Sequence, residues 1–293
     1  MASRPPETPE HAARRRALAT IEKSVSDLQS DQYGFDELRK IAIEILPLSL
    51  SSAGLPSTQP LFFRPFEKFI DESELDLDCD YPDYSLSDEW KDCNKDEPDY
   101  GVTPMDWARN TKDYFHSYLG SLLASNVPDA PAYREHNFYD SIDAWKCQLY
   151  DVEKGFAWQA AGLGPMLKTP HRKCFMICDV NGDENRIARG ELLCIARIMH
   201  RFYNTQSLIN FMVVPVFSIT FQLIPPDFNE IFQVLVLSFV GPSHGRILEA
   251  HYNGSKLVIR KSKLFDFSNN NLAAMMIFAR WWCSSATGDV LSA

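Results

Sequence analysis

Apolar positions at Leu18, Ile21, Val25 and Leu28, three and four apart, predict a short amphipathic helix within residues 11–50. Leu38, Ile41 and Ile45 repeat that spacing and predict a second, after a break at "SDQYG". Residues 51–60 read as a loop, and "LFFRPFEKFI" (61–70) as a short apolar anchor. Thr103-Pro104-Met105-Asp106 then places a capping hydroxyl, a proline at the first helical position and an acid in the first turn. Ahead of Trp107, Phe115, Leu119, Leu122 and Leu123, these signals predict a helix. Residues 126–165 are aromatic and mixed and carry no assignable period.

The second half is more strongly patterned. "KCFMICDV" (173–180) reads as a strand, "NGDEN" as a turn, and "RIARGELLCIARIMHRFY" (186–203) as a helix with Leu192, Ile195, Met199 and Phe202 on one face. Apolar strands follow near 211–217 and 234–240, "GPSH" makes a turn, and "GRILEAHY" and "KLVIRKSKL" flank "NGS" as a hairpin. "NLAAMMIFARWW" (271–282) closes as a helix. Helices among mostly antiparallel strands indicate an α+β fold. The expected division is a helical and irregular N-terminal region (1–70), an acidic flexible linker (71–100) and an α+β domain (101–293).

Between "RGELLCIARIMHRF" and "FARWW", the run "VLVLSFVGPSHGRILEAHYNGSKLVIRKSKLFDF" resembles a group of uncharacterised proteins of filamentous fungi. The resemblance spans about residues 186–282 and implies a fungal origin, with no activity to carry over. In that group a strand runs straight into the GPxHGR turn, whereas here "VFSITFQLIPPDFNEIFQ" (216–233) intervenes. The piece begins with Val, whose codons start GT, and ends with Gln, for which CAG is a codon, so it reads as a translated intron. The alternatives are a genuine loop and a membrane segment; the run Phe211–Ile224 is too short to span a bilayer.

Composition sharpens this picture in one place. The net charge of −10 resides in residues 71–99, where thirteen acids face only Lys91 and Lys95; residues 160–293 are basic by four charges. A run of like charge with few branched apolar residues does not offset the entropy of ordering. The N-terminus lacks the apolar core of a secretory signal, and seven scattered cysteines do not make a disulfide framework, so a reducing cytoplasmic or nuclear compartment is expected and no membrane association.

Candidate chemistry is sparse. Glu191 falls between Ile198 and Phe202 on a helical wheel, on the apolar face, an unusual place for a carboxylate. With Asp227 and the pair Glu249 and His251, it invites comparison with PD-(D/E)XK nucleases, in which acids hold Mg²⁺; here His251 stands where that pattern wants lysine. "DVNGDEN" places Asp179, Asn181 and Asp183 like the start of a calcium loop, but Glu184 occupies the glycine position, and a plain turn fits better. His171, Cys174, Cys178, Cys194 and His200 could be drawn as a zinc site; Cys174 and Cys178 share one face of a strand and read instead as a core pair, so no metal is expected. No Gly-rich phosphate loop is present. Arg186, Arg189, Arg197 and Arg201, with Arg260, Lys261 and Lys263, could contact the phosphates of a nucleic acid, although such stripes are more often solvated. His244 and Arg246, expected in the turn, join Arg260 and Lys261 as ligand-binding candidates. The reading is a non-catalytic interaction or binding module with a protein partner and no cofactor. The alternative is a Mg²⁺-dependent or degenerate nuclease-like protein.

Overall fold

The computed structural model describes residues 7–57, 62–67, 102–124, 149–153, 156–165, 171–204, 232–268 and 271–286. These build an α+β fold in which helices cover both faces of one mixed, mostly antiparallel sheet.

Helix α1 (Pro9–Ser26) begins where the Thr8 hydroxyl accepts from the His11 amide, with Pro9 at the first helical position, and buries Leu18, Ile21 and Val25. β1 (Gln32–Gly34) and α2 (Phe35–Arg39) follow, then β2 (Ile43–Pro47). The expected second helix through Ile45 is therefore corrected. It ends at Arg39, Ala42 turns the chain at φ 60°, and Ile43 and Ile45 alternate with Glu44 and Leu46 as a strand parallel to β10 (Leu257–Lys261). β3 (Phe63–Arg64) carries the apolar anchor, Phe62 and Phe63 both being buried.

Helix α3 (Pro104–Ala124) has the capping box that its sequence announces. The Thr103 amide donates to the Asp106 carboxylate at 3.1 Å, and the Asp106 amide donates to the Thr103 hydroxyl at 3.2 Å. Within the stretch without a legible period lie β4 (Tyr150–Asp151) and β5 (Trp158–Pro165). β6 (Arg172–Asn181) leads to β7 (Arg186–Ala188), which pairs with β1, so α4 (Arg189–Asn204) starts three residues later than its apolar spacing suggests. β8 (Gln233–Gly241) and β9 (His244–Tyr252) form a hairpin, and β10, β11 (Phe265–Asp266), α5 (Leu272–Trp282) and β12 (Ser285–Ala286) complete the order. The segment 71–99, the strand expected at 211–217 and nearly all of the proposed insert lie outside the described residues.

The sheet runs β2-β10-β9-β8-β6-β5-β4, with β11 on the end of β9; only β2–β10 and β6–β8 are parallel. β8 is buried at every position, as a central strand covered on both faces must be. One face carries Cys174, Met176, Val234, Val236, Leu248 and Ala250 against α1 and α4. The other carries Phe175, Ile177, Leu235, Leu237, Phe239 and Ile247 against α3 and α5. At the start of α4 a side chain on Gly190 would sit 2.7 Å from Trp158, so glycine permits the close approach of helix to sheet. Among the described residues no helix is long and apolar enough to cross a membrane.

Candidate functional site

Glu191 lies on the apolar face of α4 because it has a buried counter-ion. Arg246 in β9 donates from Nε to Glu191 Oε1 at 2.7 Å and from Nη2 to Oε2 at 2.6 Å, and both residues have zero exposure. The Ala188 amide donates to the same carboxylate at 2.8 Å, and Arg246 Nη1 reaches the carbonyls of Asp183 and Arg186. This clamp ties the turn after β6, the start of α4 and β9 together. Arg246 is thus a central strand residue, as the strand reading of "GRILEAHY" has it, and its expected place in the turn is corrected. The two-residue turn is Pro242-Ser243, and His244, partly exposed at the start of β9, has Nδ1 against the Pro242 carbonyl.

Glu249 and His251 point to the opposite face, as alternation along β9 requires. Glu191 and Glu249 therefore do not converge, and Asp227 lies outside the described residues. Glu249 meets Arg260 of β10 at 3.0 Å across a paired rung. Burial pushes the Glu249 carboxyl up to about 7, against the opposing pull of Arg260 and of a hydrogen bond from the Phe63 backbone. On the next rung His251 pairs with Gln233, and burial, aided by Arg260, lowers the imidazole to about 4. Nearby on this face are His171, also lowered to about 4 by burial and then Arg172, and Lys173, whose ammonium donates to the Trp282 and Ser284 carbonyls. Phe62 packs on His251 with ring centroids 4.7 Å apart, and Phe63 meets His171 edge-on at 5.9 Å. Among the described residues, Glu249 Oε1, His251 Nδ1, His171 Nδ1 and both amide atoms of Gln233 find no hydrogen-bond partner.

The basic residues of α4 are largely engaged in holding neighbours. Arg189 donates to the Ser26 carbonyl, lies 3.5 Å from Asp151 and covers the Phe156 ring. Arg197 pairs with Glu22 at 3.4 Å over the Trp158 ring, and His200 meets Glu22 at 2.6 Å, which joins α4 to α1. Arg186 sits in β7, outside the helix. Cys174, Cys178 and Cys194 are buried in the core, Cys174 and Cys194 with sulfurs 3.8 Å apart. A hydrogen bond with Cys174 and burial push the Cys194 thiol well up, and burial does the same to Cys178. No cluster of metal-ligating side chains occurs among the described residues. Asp183 accepts from the Asn185 amide at 2.8 Å, closing a plain turn where the calcium-like spacing occurs.

A groove of about 530 Å³ opens where β2, β10 and this turn meet. Its apolar wall is Phe35, Ile45, Leu46, Leu48 and Leu50, and its polar wall is Glu184, Asn185, Lys261 and Lys263. Lys261 is only 7% exposed. Its ammonium donates to Glu184 at 3.1 Å and to the Ser262 carbonyl at 3.2 Å, with the Phe35 ring 6.0 Å away. The other Glu184 oxygen accepts from the Leu264 amide. Burial, and then Arg246, lower the Lys261 ammonium below the ordinary lysine value. Lys261 is legible in the sequence as a candidate, but its apolar companions are not, because Leu38, Ile41 and Ile45 fit a helical period. Compared with known protein families, with curated proteins and with solved structures, the chain matches none.

Proposed function

We propose that the chain is a non-catalytic binding module whose ligand seat is the groove along residues 45–50. The observation that carries this reading is a concave, mostly apolar volume of about 530 Å³ with four polar side chains on one wall. Sites for single small ligands commonly have this size and composition. The acids required by the nuclease alternative give it no support: Glu191 is neutralised by Arg246, and Glu249 lies across the sheet, buried against Arg260. The test is methyl-detected NMR of the full chain against a fragment library, with Ile45, Leu46, Leu48 and Leu50 as reporters. Hits that shift these methyls are expected. A library that moves none of them, or plasmid nicking with Mg²⁺ that disappears in Glu249→Gln, overturns the reading.

A further inference from the structure

We infer that the groove takes an amphipathic monocarboxylate, its apolar body on Phe35, Ile45, Leu48 and Leu50 and its carboxylate on Lys261. This rests on the groove being a ligand seat. Lys261 carries three N–H donors, of which Glu184 and the Ser262 carbonyl accept two. The third has no hydrogen-bond partner among the described residues, on a side chain more than nine-tenths buried that lines an apolar volume. A buried cation with a spare donor gains from an anion that also brings its own apolar surface. The charge around Lys261 favours this. Arg246 repels it, the Glu191 charge is already matched by Arg246, and Glu184 divides its oxygens between Lys261 and the Leu264 amide. Lys263 and Asn185 also line the groove and carry donors for a second carboxylate oxygen.

Two neighbouring chemistries fit less well. A phosphate dianion would bring twice the charge of a carboxylate up against Glu184, 3.1 Å from Lys261. An extended peptide adding to β2 would find few donors. The Ala42 carbonyl and Leu48 amide bond to β10, so alternation turns the Ile43, Ile45 and Pro47 backbones outward; Ile43 has no exposure and proline has no N–H.

The experiment compares octanoate, 1-octanol and octyl phosphate on the full chain by methyl NMR and calorimetry. Octanoate is expected to shift the Ile45, Leu48 and Leu50 methyls and to bind about tenfold or more tighter than octanol, the range of a charge-assisted hydrogen bond. Lys261→Met, checked for an intact thermal transition, is expected to bring octanoate down to the octanol level. The acid-to-alcohol comparison on the unaltered chain decides the matter even if that variant fails to fold. Equal binding of acid and alcohol overturns the carboxylate inference and leaves the groove reading standing, as does tighter binding of octyl phosphate. If none of the three moves a groove methyl, the groove reading falls and the inference with it.

Discussion

Glu249, His251 and His171 titrate in overlapping pH windows with opposite effects on stability. Glu249 has a folded value near 7 against about 4.5 unfolded, so its folded form holds a proton that the unfolded chain releases. Its contribution is full below about pH 4.5 and is lost as pH rises to about 7, on the order of 3 kcal/mol. The two imidazoles are lowered from 6.5 to about 4, so their contributions are present above about 6.5 and are lost as pH falls towards 4. Two groups oppose one, and stability should rise with pH between 4.5 and 6.5. Glu249→Gln should steepen that rise and remove the decline towards pH 7. Urea titrations at pH 5, 6, 7 and 8 measure this, and parallel curves for the two proteins would refute it. These values owe most to burial, which one sequence conveys poorly. "EAH" in a strand shows alternation but not that Phe62, nearly two hundred residues earlier, will cover the histidine.

At the scale of elements, the clamp fixes how α4 meets β9. Arg246→Met leaves the Glu191 carboxylate buried without its counter-ion and is expected to cost about 3–5 kcal/mol. Adding Glu191→Leu should return most of that loss, since an apolar pair replaces an ion pair at little net cost. Chemical denaturation of the single and double variants measures both. A double variant no more stable than the single would mean that the carboxylate is not the source of the loss. The sequence announced half of this clamp, a carboxylate on the apolar face of a helix. It concealed the other half: "GRILEAHY" reads as a strand, and the strand begins at His244, but nothing in it tells that Arg246 faces a helix residue fifty-five positions earlier. Helices with strong end signals were legible: Thr103 and Asp106 cap α3, and Asn271 accepts from the Ala274 amide at the head of α5. "IAIEIL" was not, because Leu38, Ile41 and Ile45 suit a helical period while Ile43 and Ile45 suit a strand. Pairing with β10 decided between them.

Across the whole molecule, the N-terminal segments belong to the same core as the later strands. Leu18, Ile21 and Val25 of α1 and Ile43 and Ile45 of β2 share one cluster with Leu192, Ile195, Val236 and Ile259. A chain beginning at residue 101 would therefore expose the α1 side of α4 and the β2 side of β10. Such a chain is expected to melt without a sharp transition and to bind a hydrophobic dye, and a cooperative melt matching the full chain would show that the later part suffices. The mixed sheet also bears on the order in which the molecule can assemble. β2 pairs with β10 although roughly 200 residues separate them, and bringing such distant segments together is slow because a long loop must close before any contact rewards it. During synthesis β2 leaves the ribosome long before its neighbour exists. Its isoleucines then wait unpaired, an interval in which a chaperone has something to hold.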